Sequence, residues 1–354
     1  MIEGQESTAG RRVRLGMVGG GQGAFIGAVH RIAARLDDQY EFVAGALSSQ
    51  AERAMASAAE LGLNPERSYT DYQSMAHAEA KREDGIEAVA IVTPNHVHFP
   101  AAKAFLEAGI HVICDKPMTV TSQEGEELVA LAREKGLILA VTYNYTGYPM
   151  VRQARAMVAN GELGRIRLVQ VEYVQDWLSE DLESSGQKQA SWRTDPAKSG
   201  AGGAIGDIGT HAYNMACFVS GLEAESLCAD LSSFVAGRRL DDNAQVMLRY
   251  PDGVRGMLWA SQVAPGNENN LMLRVYGEKG GLKWRQEDPN YLEFAPLGGP
   301  PRRMTRGGPG SDDNAARVTR IPSGHPEGYL EGFTTVYTEV AEAIRAARSG
   351  SATD

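Results

Sequence analysis

The stretch "GMVGGGQGAFIGAVH", residues 16–30, decides how the chain begins to fold. An apolar run, "VRLGMV" (13–18), leads into it, and residues 27–36 leave it with apolar side chains at helical spacing. Strand, glycine-rich turn and helix in that order form the setting in which G-x-G-x-x-G/A takes a dinucleotide. Gly19-Gly20-Gly21-Gln22-Gly23-Ala24 has that spacing. Glycines let backbone N–H groups close on a pyrophosphate, and the helix start adds partial positive charge. A tight turn that binds nothing would use the same glycines, so the rest of the chain has to decide.

Further along, "EFVAGAL" (41–47), "GIEAVAIV" (85–92), "HVIC" (111–114) and "LILAVTY" (137–143) read as strands rich in Val, Ile and Leu on both faces. Residues 52–62, 71–82, 96–108 and 121–135 show helical spacing, several opened by Asp, Asn, Thr or Ser as caps. This alternation predicts an α/β fold whose N-terminal part, residues 11–145, is a doubly wound parallel sheet of the Rossmann type. Ligands of such sheets sit at the carboxyl ends of the strands. Residues 1–10 are expected to be disordered.

After residue 145 the rhythm changes. A helix (148–160) and a long strand, "IRLVQVEYVQDW" (166–177), are followed by a polar loop, a glycine-rich turn and a helix near 207–220. Alternating runs such as "AQVMLRY", "VRGMLWA" and "LMLRVYG" then predict a large, mostly antiparallel, open sheet. Residues 146–354 thus read as a C-terminal α+β domain for substrate binding and oligomerisation. Within it, 296–317 is expected to be a mobile loop and 327–350 a helix that packs back onto the body.

Composition narrows the partners. A chain of 354 residues suits two domains at roughly 150 residues each. Asp and Glu (45) outnumber Lys and Arg (35), a formal charge of −10 that argues against nucleic acid or an anionic membrane as main partner. No apolar run has the length of a membrane span, and "MIEGQESTAG" carries acid where a signal peptide carries base. Cys114, Cys217 and Cys228 are odd in number and lack C-x-x-C spacing, which suits small core residues in a reducing cytoplasm.

Three further stretches carry chemistry. At the end of the second strand the acid that usually holds a ribose is replaced by "ALSSQAER". Ser48 and Ser49 offer hydroxyls to a ribose and Arg53 a charge for a 2′-phosphate, leaving NAD and NADP both open, with NAD favoured. "CDKPMT" puts Lys116 at the carboxyl end of a strand, before Pro117. "SGAGGAIGDIGTHAYN" (199–214) places Asp207 and His211 four apart, on one face of a helix, behind glycines that admit a close approach.

Together "VGGGQGAFIG", "VTPNHVHFPAAKAFLEAGIHVICDKPM" and "GGAIGDIGTHAYN" resemble the glucose–fructose oxidoreductase / inositol dehydrogenase family, Gfo/Idh/MocA, over nearly the whole chain. Its Glu-Lys-Pro signature stands here as Asp115-Lys116-Pro117, and its G-D-x-G-x-H signature is complete from Gly206 to His211. The resemblance implies an NAD(P)-dependent oxidoreductase acting on sugars, glycosides or cyclitols, with an open sheet that packs on a partner subunit in dimers, tetramers or larger homo-oligomers. It also places Thr93, Pro94, Asn95 and His98 along the cofactor, and Trp192 with Arg193 as a lid.

Oxidising a secondary alcohol needs a hydride acceptor, a base and a positive group. A nicotinamide takes the hydride. His211 is the expected base, Lys116 the group that favours the alkoxide, and Asp207 the residue that orients the hydroxyl or the imidazole. Asn144 is expected beside the nicotinamide, and Tyr145, Tyr148, Arg193 and His325 around the substrate. Asp207 and His211 also suit a metal, but a third ligand is hard to find even with His96 and His98, so no metal is expected.

Two other readings stand beside this one. The first is a glycoside hydrolase that oxidises, eliminates, adds water and reduces again, for which Tyr145, Tyr148 or His325 would be the extra acid or base. The second is a non-catalytic regulator. In the family pattern a His follows the third glycine by three residues, and here His30 follows Gly27 by three. That makes Gly27 the helix-packing glycine and lengthens the phosphate loop. Gly19 makes the turn, Gly21 and Gly23 admit the pyrophosphate, Ala24 is a coincidental match, and Phe25-Ile26 form a lip beside the cofactor.

Overall fold

A computed structural model describes residues 11–350; the expectation for residues 1–10 lies outside them. The chain divides into two compact units, one of residues up to Thr93, Val97–Thr142 and from Phe333 on, the other of Pro94–His96 and Tyr143–Gly332. No helix among the described residues is long and apolar enough to cross a membrane.

The first unit is built from β1 (Val13–Gly19), α1 (Phe25–Leu36), β2 (Tyr40–Ala46), α2 (Ala51–Glu60), α3 (Tyr72–Glu79), β3 (Ala88–Val92), α4 (His98–Glu107), β4 (His111–Cys114), α5 (Ser122–Lys135) and β5 (Leu139–Val141). Its strands pair in parallel in the order β2-β1-β3-β4-β5. The chain runs outward from β1 to β2 and returns past β1 to β3, which makes the β1/β3 border the switch point where such sheets bind ligands. Every residue of β3 is buried, as its unbroken apolar run requires of a strand covered on both faces. The last expected strand is shorter than its apolar pattern, because the backbone turns at Asn144–Gly147.

The second unit adds α6 (Pro149–Ala159), β6 (Ile166–Val174), α7 (Lys188–Arg193), α8 (Pro196–Ser199), α9 (Thr210–Ser220), β7 (Ser226–Ser232), β8 (Asn243–Arg249), β9 (Arg255–Ser261), β10 (Asn270–Gly277), β11 (Gly280–Arg285), β12 (Tyr291–Pro296), β13 (Arg302–Thr305) and α10 (Asp313–Ala316). Its eight strands lie in the order β13-β12-β11-β10-β6-β9-β8-β7, with β6 and β9 parallel and the other neighbours antiparallel. One face packs on α6 and α9 around Tyr148, Met215, Leu258 and Trp284. The other face leaves Leu168, Met247 and Met257 half or more exposed.

Two expectations are corrected here. The segment 296–317 is not a loop throughout: β13 pairs with β12, and α10 is capped by Asp312. Next to β13, the buried Arg306 donates to Glu327, Asn290 and the carbonyls of Ile321 and Pro322, so charge rather than apolar pattern orders the segment. The strand expected to reach residue 177 ends at Val174: Gln175 N–H still donates to Ser261 O, but the chain turns at Asp176, whose carbonyl accepts from Ser179 N.

The final helix, α11 (Tyr329–Ser349), belongs to the first unit from Phe333 onward. Tyr337 lies between His30 and Tyr40, Thr338 donates to Asp37, and Arg345 donates to Gln39.

Candidate functional site

In the first unit the glycine turn leaves β1 and doubles back on α1. A Cβ on Gly27 would lie 2.3 Å from the Gly20 Cα, so the first turn of the helix sits directly on the turn that precedes it. Arg31 donates to the Gly20 carbonyl at 2.8 Å and holds the turn from behind. Gly21 differs from expectation. Its N–H donates to Leu47 O at 3.2 Å, and a Cβ there would meet that oxygen and Ser57 Oγ at 2.7 Å. Gly21 thus joins β1's turn to the end of β2, and its own N–H is spent on that contact.

Ala24 closes the turn through its N–H on Gly21 O, and as N-cap it supplies no side-chain bond to α1. The amides that open this 12-residue helix are therefore left for an anion. Gly23, at φ +76°, has open space where a side chain would be. Phe25 is 70% exposed beside it. Ser49 and Arg53 are exposed after β2, where Ser48 caps the Gln50 N–H. The Thr93 hydroxyl, at the end of β3, is buried with no hydrogen-bond partner among the described residues. These features fit a dinucleotide lying across the carboxyl ends of β1, β2 and β3.

Lys116 follows β4, and both its neighbours are fixed. The Asp115 carboxylate accepts from Lys116 N at 2.9 Å and from Thr142 Oγ1 at 3.0 Å. His98 is wholly buried, with Nδ1 2.6 Å from Pro117 O and Nε2 2.9 Å from Thr93 O. Its ring thus lies between two backbone carbonyls, to one of which a neutral imidazole donates. The Lys116–Pro117 peptide is cis.

In the second unit a wide helical turn, Ile205–Gly209, of the π type often found at functional sites, carries Asp207 and runs into α9, which starts Thr210-His211. His211 is 7% exposed, edge-on to Tyr145 at 4.9 Å and to Tyr143 at 5.5 Å, with Tyr173 at 6.1 Å. Arg193 Nε donates to Asp207 Oδ2 at 3.2 Å while its guanidinium lies 4.3 Å above the Trp192 ring. Gln262 Nε2 donates to the same carboxylate oxygen at 2.9 Å. Asn144 is buried, and its Nδ2 has no partner among the described residues. Asn95 donates to Ser199 O at 3.0 Å, next to exposed Pro94.

Two expected substrate residues are placed otherwise. Tyr148 is 1% exposed and packs its ring on Trp284 in the core, where burial pushes its phenol far up. His325 lies on an exposed loop whose backbone Arg306 holds through the His325 carbonyl. Conversely, Tyr143, Tyr173, Gln175, Trp177, Gln262 and Asn269 join the site without having been expected. One signal for three of them is present in "VQVEYVQDW": the alternation that carries Val169, Val171 and Tyr173 along β6 continues past the strand's end to Gln175 and Trp177.

A parallel sheet with a glycine turn at its switch point, followed by an aspartate and an imidazole on a helix start, defines a dinucleotide-dependent oxidoreductase. The chain belongs to the Gfo/Idh/MocA oxidoreductases: residues 13–143 match the family's NAD-binding Rossmann fold and residues 151–283 its C-terminal domain. It is 39% identical to the oxidoreductase YfiI of Bacillus subtilis, over 96% of this chain and 88% of that protein. An oxidoreductase of Sinorhizobium meliloti of known crystal structure is 61% identical, with TM-score 0.86 over 95% of this chain and 90% of the other. An inositol dehydrogenase homolog of Azotobacter vinelandii, solved with NADH and myo-inositol, is 36% identical, with TM-score 0.91 over 97% and 88%. NAD is the cofactor of the first unit.

Proposed function

We propose that the protein is an NAD-dependent dehydrogenase that oxidises a ring secondary alcohol of a sugar, glycoside or cyclitol. The observation that carries this reading is the enclosure of His211 by three tyrosines, on the helix start that also bears an Asp207 held by Arg193 and Gln262. Such a set of hydroxyl, amide and carboxylate groups suits a polyol. The myo-inositol bound by the Azotobacter homolog belongs to the same chemical class.

When bound, the nicotinamide supplies the hydride acceptor that no side chain provides. His211 would take the hydroxyl proton, Lys116 would stabilise negative charge on the same oxygen, and Asp207 would orient the neighbouring hydroxyl. Thr93 and Asn144, each with a buried polar atom left over, would bond the cofactor. Trp192 and Arg193 would cover the substrate. The exposed apolar face of the large sheet supports a homo-oligomer, and the three free thiols suit the cytoplasm.

The test is a panel of hexoses, glycosides and inositols with NAD and with NADP, following both reduced-cofactor absorbance and aglycone release. Steady NADH formation supports the dehydrogenase. Aglycone release without net NADH would instead make the protein an NAD-dependent glycosidase. Unchanged turnover in both Lys116→Ala and His211→Ala would remove the catalytic assignment.

A further inference from the structure

A belt of polar side chains in the second unit has its hydrogen-bond direction set by one residue. The indole N–H of Trp177 can only donate, and it lies 3.1 Å from Gln175 Oε1. That turns the Gln175 amino group toward Asn269, whose Oδ1 receives it at 2.7 Å. The same Oδ1 lies 2.8 Å from the Tyr173 hydroxyl. A carbonyl oxygen cannot donate, so the one proton of Tyr173 is committed there. Tyr173 must then accept from the Tyr145 hydroxyl, 2.6 Å away. Burial raises both phenols, so both protons are in place at neutral pH.

The other arm of the belt has the same sense. Gln175 Oε1 also faces Gln262 Nε2 at 3.4 Å, and Gln262 passes its amino group on to Asp207. A flipped Gln262 would set oxygen against oxygen on both sides. The belt thus runs without a break from Tyr145 to Asp207, around the ring of His211.

We propose that Trp177, Gln175 and Asn269 are positioning residues that leave Tyr145 able only to accept a hydrogen bond beside His211, so that the site selects a ligand presenting a hydroxyl donor there. The inference rests on the reading that Asp207 and His211 face the substrate. It gives that reading a specificity: a ring polyol is matched, whereas a carbonyl or ether oxygen would meet a lone pair. It also removes Tyr145 as the acid for a departing glycosidic oxygen.

Two substitutions add one carboxylate to the same belt with opposite effects on its direction. Gln175→Glu accepts from Trp177 but has nothing to donate, so Asn269 must turn its amino group inward and the tyrosine protons reverse. Asn269→Asp keeps an acceptor for both Gln175 and Tyr173. With NAD and either myo-inositol or D-glucose, Gln175→Glu is expected to raise KM about fivefold to tenfold with little change in kcat, the size of one hydrogen bond. Asn269→Asp, which keeps the acceptor, is expected to raise KM less than Gln175→Glu does, and Tyr145→Phe to raise KM as Gln175→Glu does, with no further rise in the double variant. Equal KM values for Gln175→Glu and Asn269→Asp would overturn the proposal.

Neutron diffraction of the perdeuterated protein reads the same direction without any turnover. The proposal requires deuterium on Tyr145 pointing to Tyr173 and on Tyr173 pointing to Asn269; the reverse orientation sinks it. If neither polyol is oxidised, the functional reading fails while the neutron map still decides the direction of the belt.

Discussion

The Nδ1 of His30 lies 2.8 Å from the hydroxyl of Tyr337, tying the first helix to the last across 307 positions of sequence. His30 is wholly buried, and burial holds its imidazole down at about 4 despite the Asp115 carboxylate 3.9 Å from Nε2. The unfolded ring takes its proton near 6.5, the folded ring only near 4. Stability from this group is therefore complete above pH 6.5 and declines as pH falls from 6.5 to 4, by roughly 3 kcal/mol in all. His111, likewise held down at about 4 by burial, adds a loss of the same sign. Melting temperatures between pH 8 and 4.5 are expected to fall below pH 6.5, and less steeply in His30→Gln.

Gly27 is expected to tolerate no side chain. The Cβ of Gly27→Ala would stand 2.3 Å from the Cα and 2.6 Å from the carbonyl oxygen of Gly20, neither of which is a flexible side-chain tip. The helix must then lift from the turn, at a cost of about 1–3 kcal/mol. Fluorescence titration with NADH should show weakened binding as the amides at the start of α1 shift. Gly23→Ala has room for its methyl and pays only the strain of φ +76°, so it should be the milder change. Equal losses for the two would contradict the packing role of Gly27.

His98 is expected to act on Lys116 without touching the reaction. His98→Leu removes the ring between the Thr93 and Pro117 carbonyls and with it the one hydrogen bond that a neutral imidazole donates to them, which costs about 1–3 kcal/mol. Because Pro117 directly follows Lys116, kcat should fall while NADH affinity, measured by titration, changes little. A loss of stability with kcat unchanged would make the residue purely structural.

Much of this arrangement was legible in the sequence because the first unit obeys local rules. Continuous apolar runs such as "AVAIV" can be satisfied only by a strand covered on both faces, and β3 has every residue buried. The place of Lys116 follows from counting past the end of β4. The second unit was harder, since its site is assembled from side chains that carry no period. Gln262 and Asn269 lie after and before strands, and only the fold brings them to Asp207 and Tyr173. Segment 296–317 reads as a loop from its glycines and prolines, yet its anchor is the buried pair Arg306 and Glu327, which no hydrophobic pattern reports. The amphipathic stripe of α11 shows that the helix has a partner but not that the partner includes His30 and Tyr40.

The uncovered face of the large sheet supplies the last expectation. Met247 and Met257 pair across β8 and β9, 63% and 58% exposed, and Leu168 on β6 is 50% exposed. Exposed apolar groups of this size, side by side on one sheet face, are uncommon on a monomer and would be covered in the homo-oligomer proposed above. If a second copy covers it, light scattering coupled to gel filtration should give at least twice the chain mass of 38.1 kDa. Met257→Glu, which places a charge in the middle of that patch, should shift the protein toward monomer. The fold of each chain should survive, because the Met257 side chain points away from the core formed by Leu258 and Val246. A parent protein that elutes as a monomer, or an unchanged oligomer in Met257→Glu, would show that this face is not the interface.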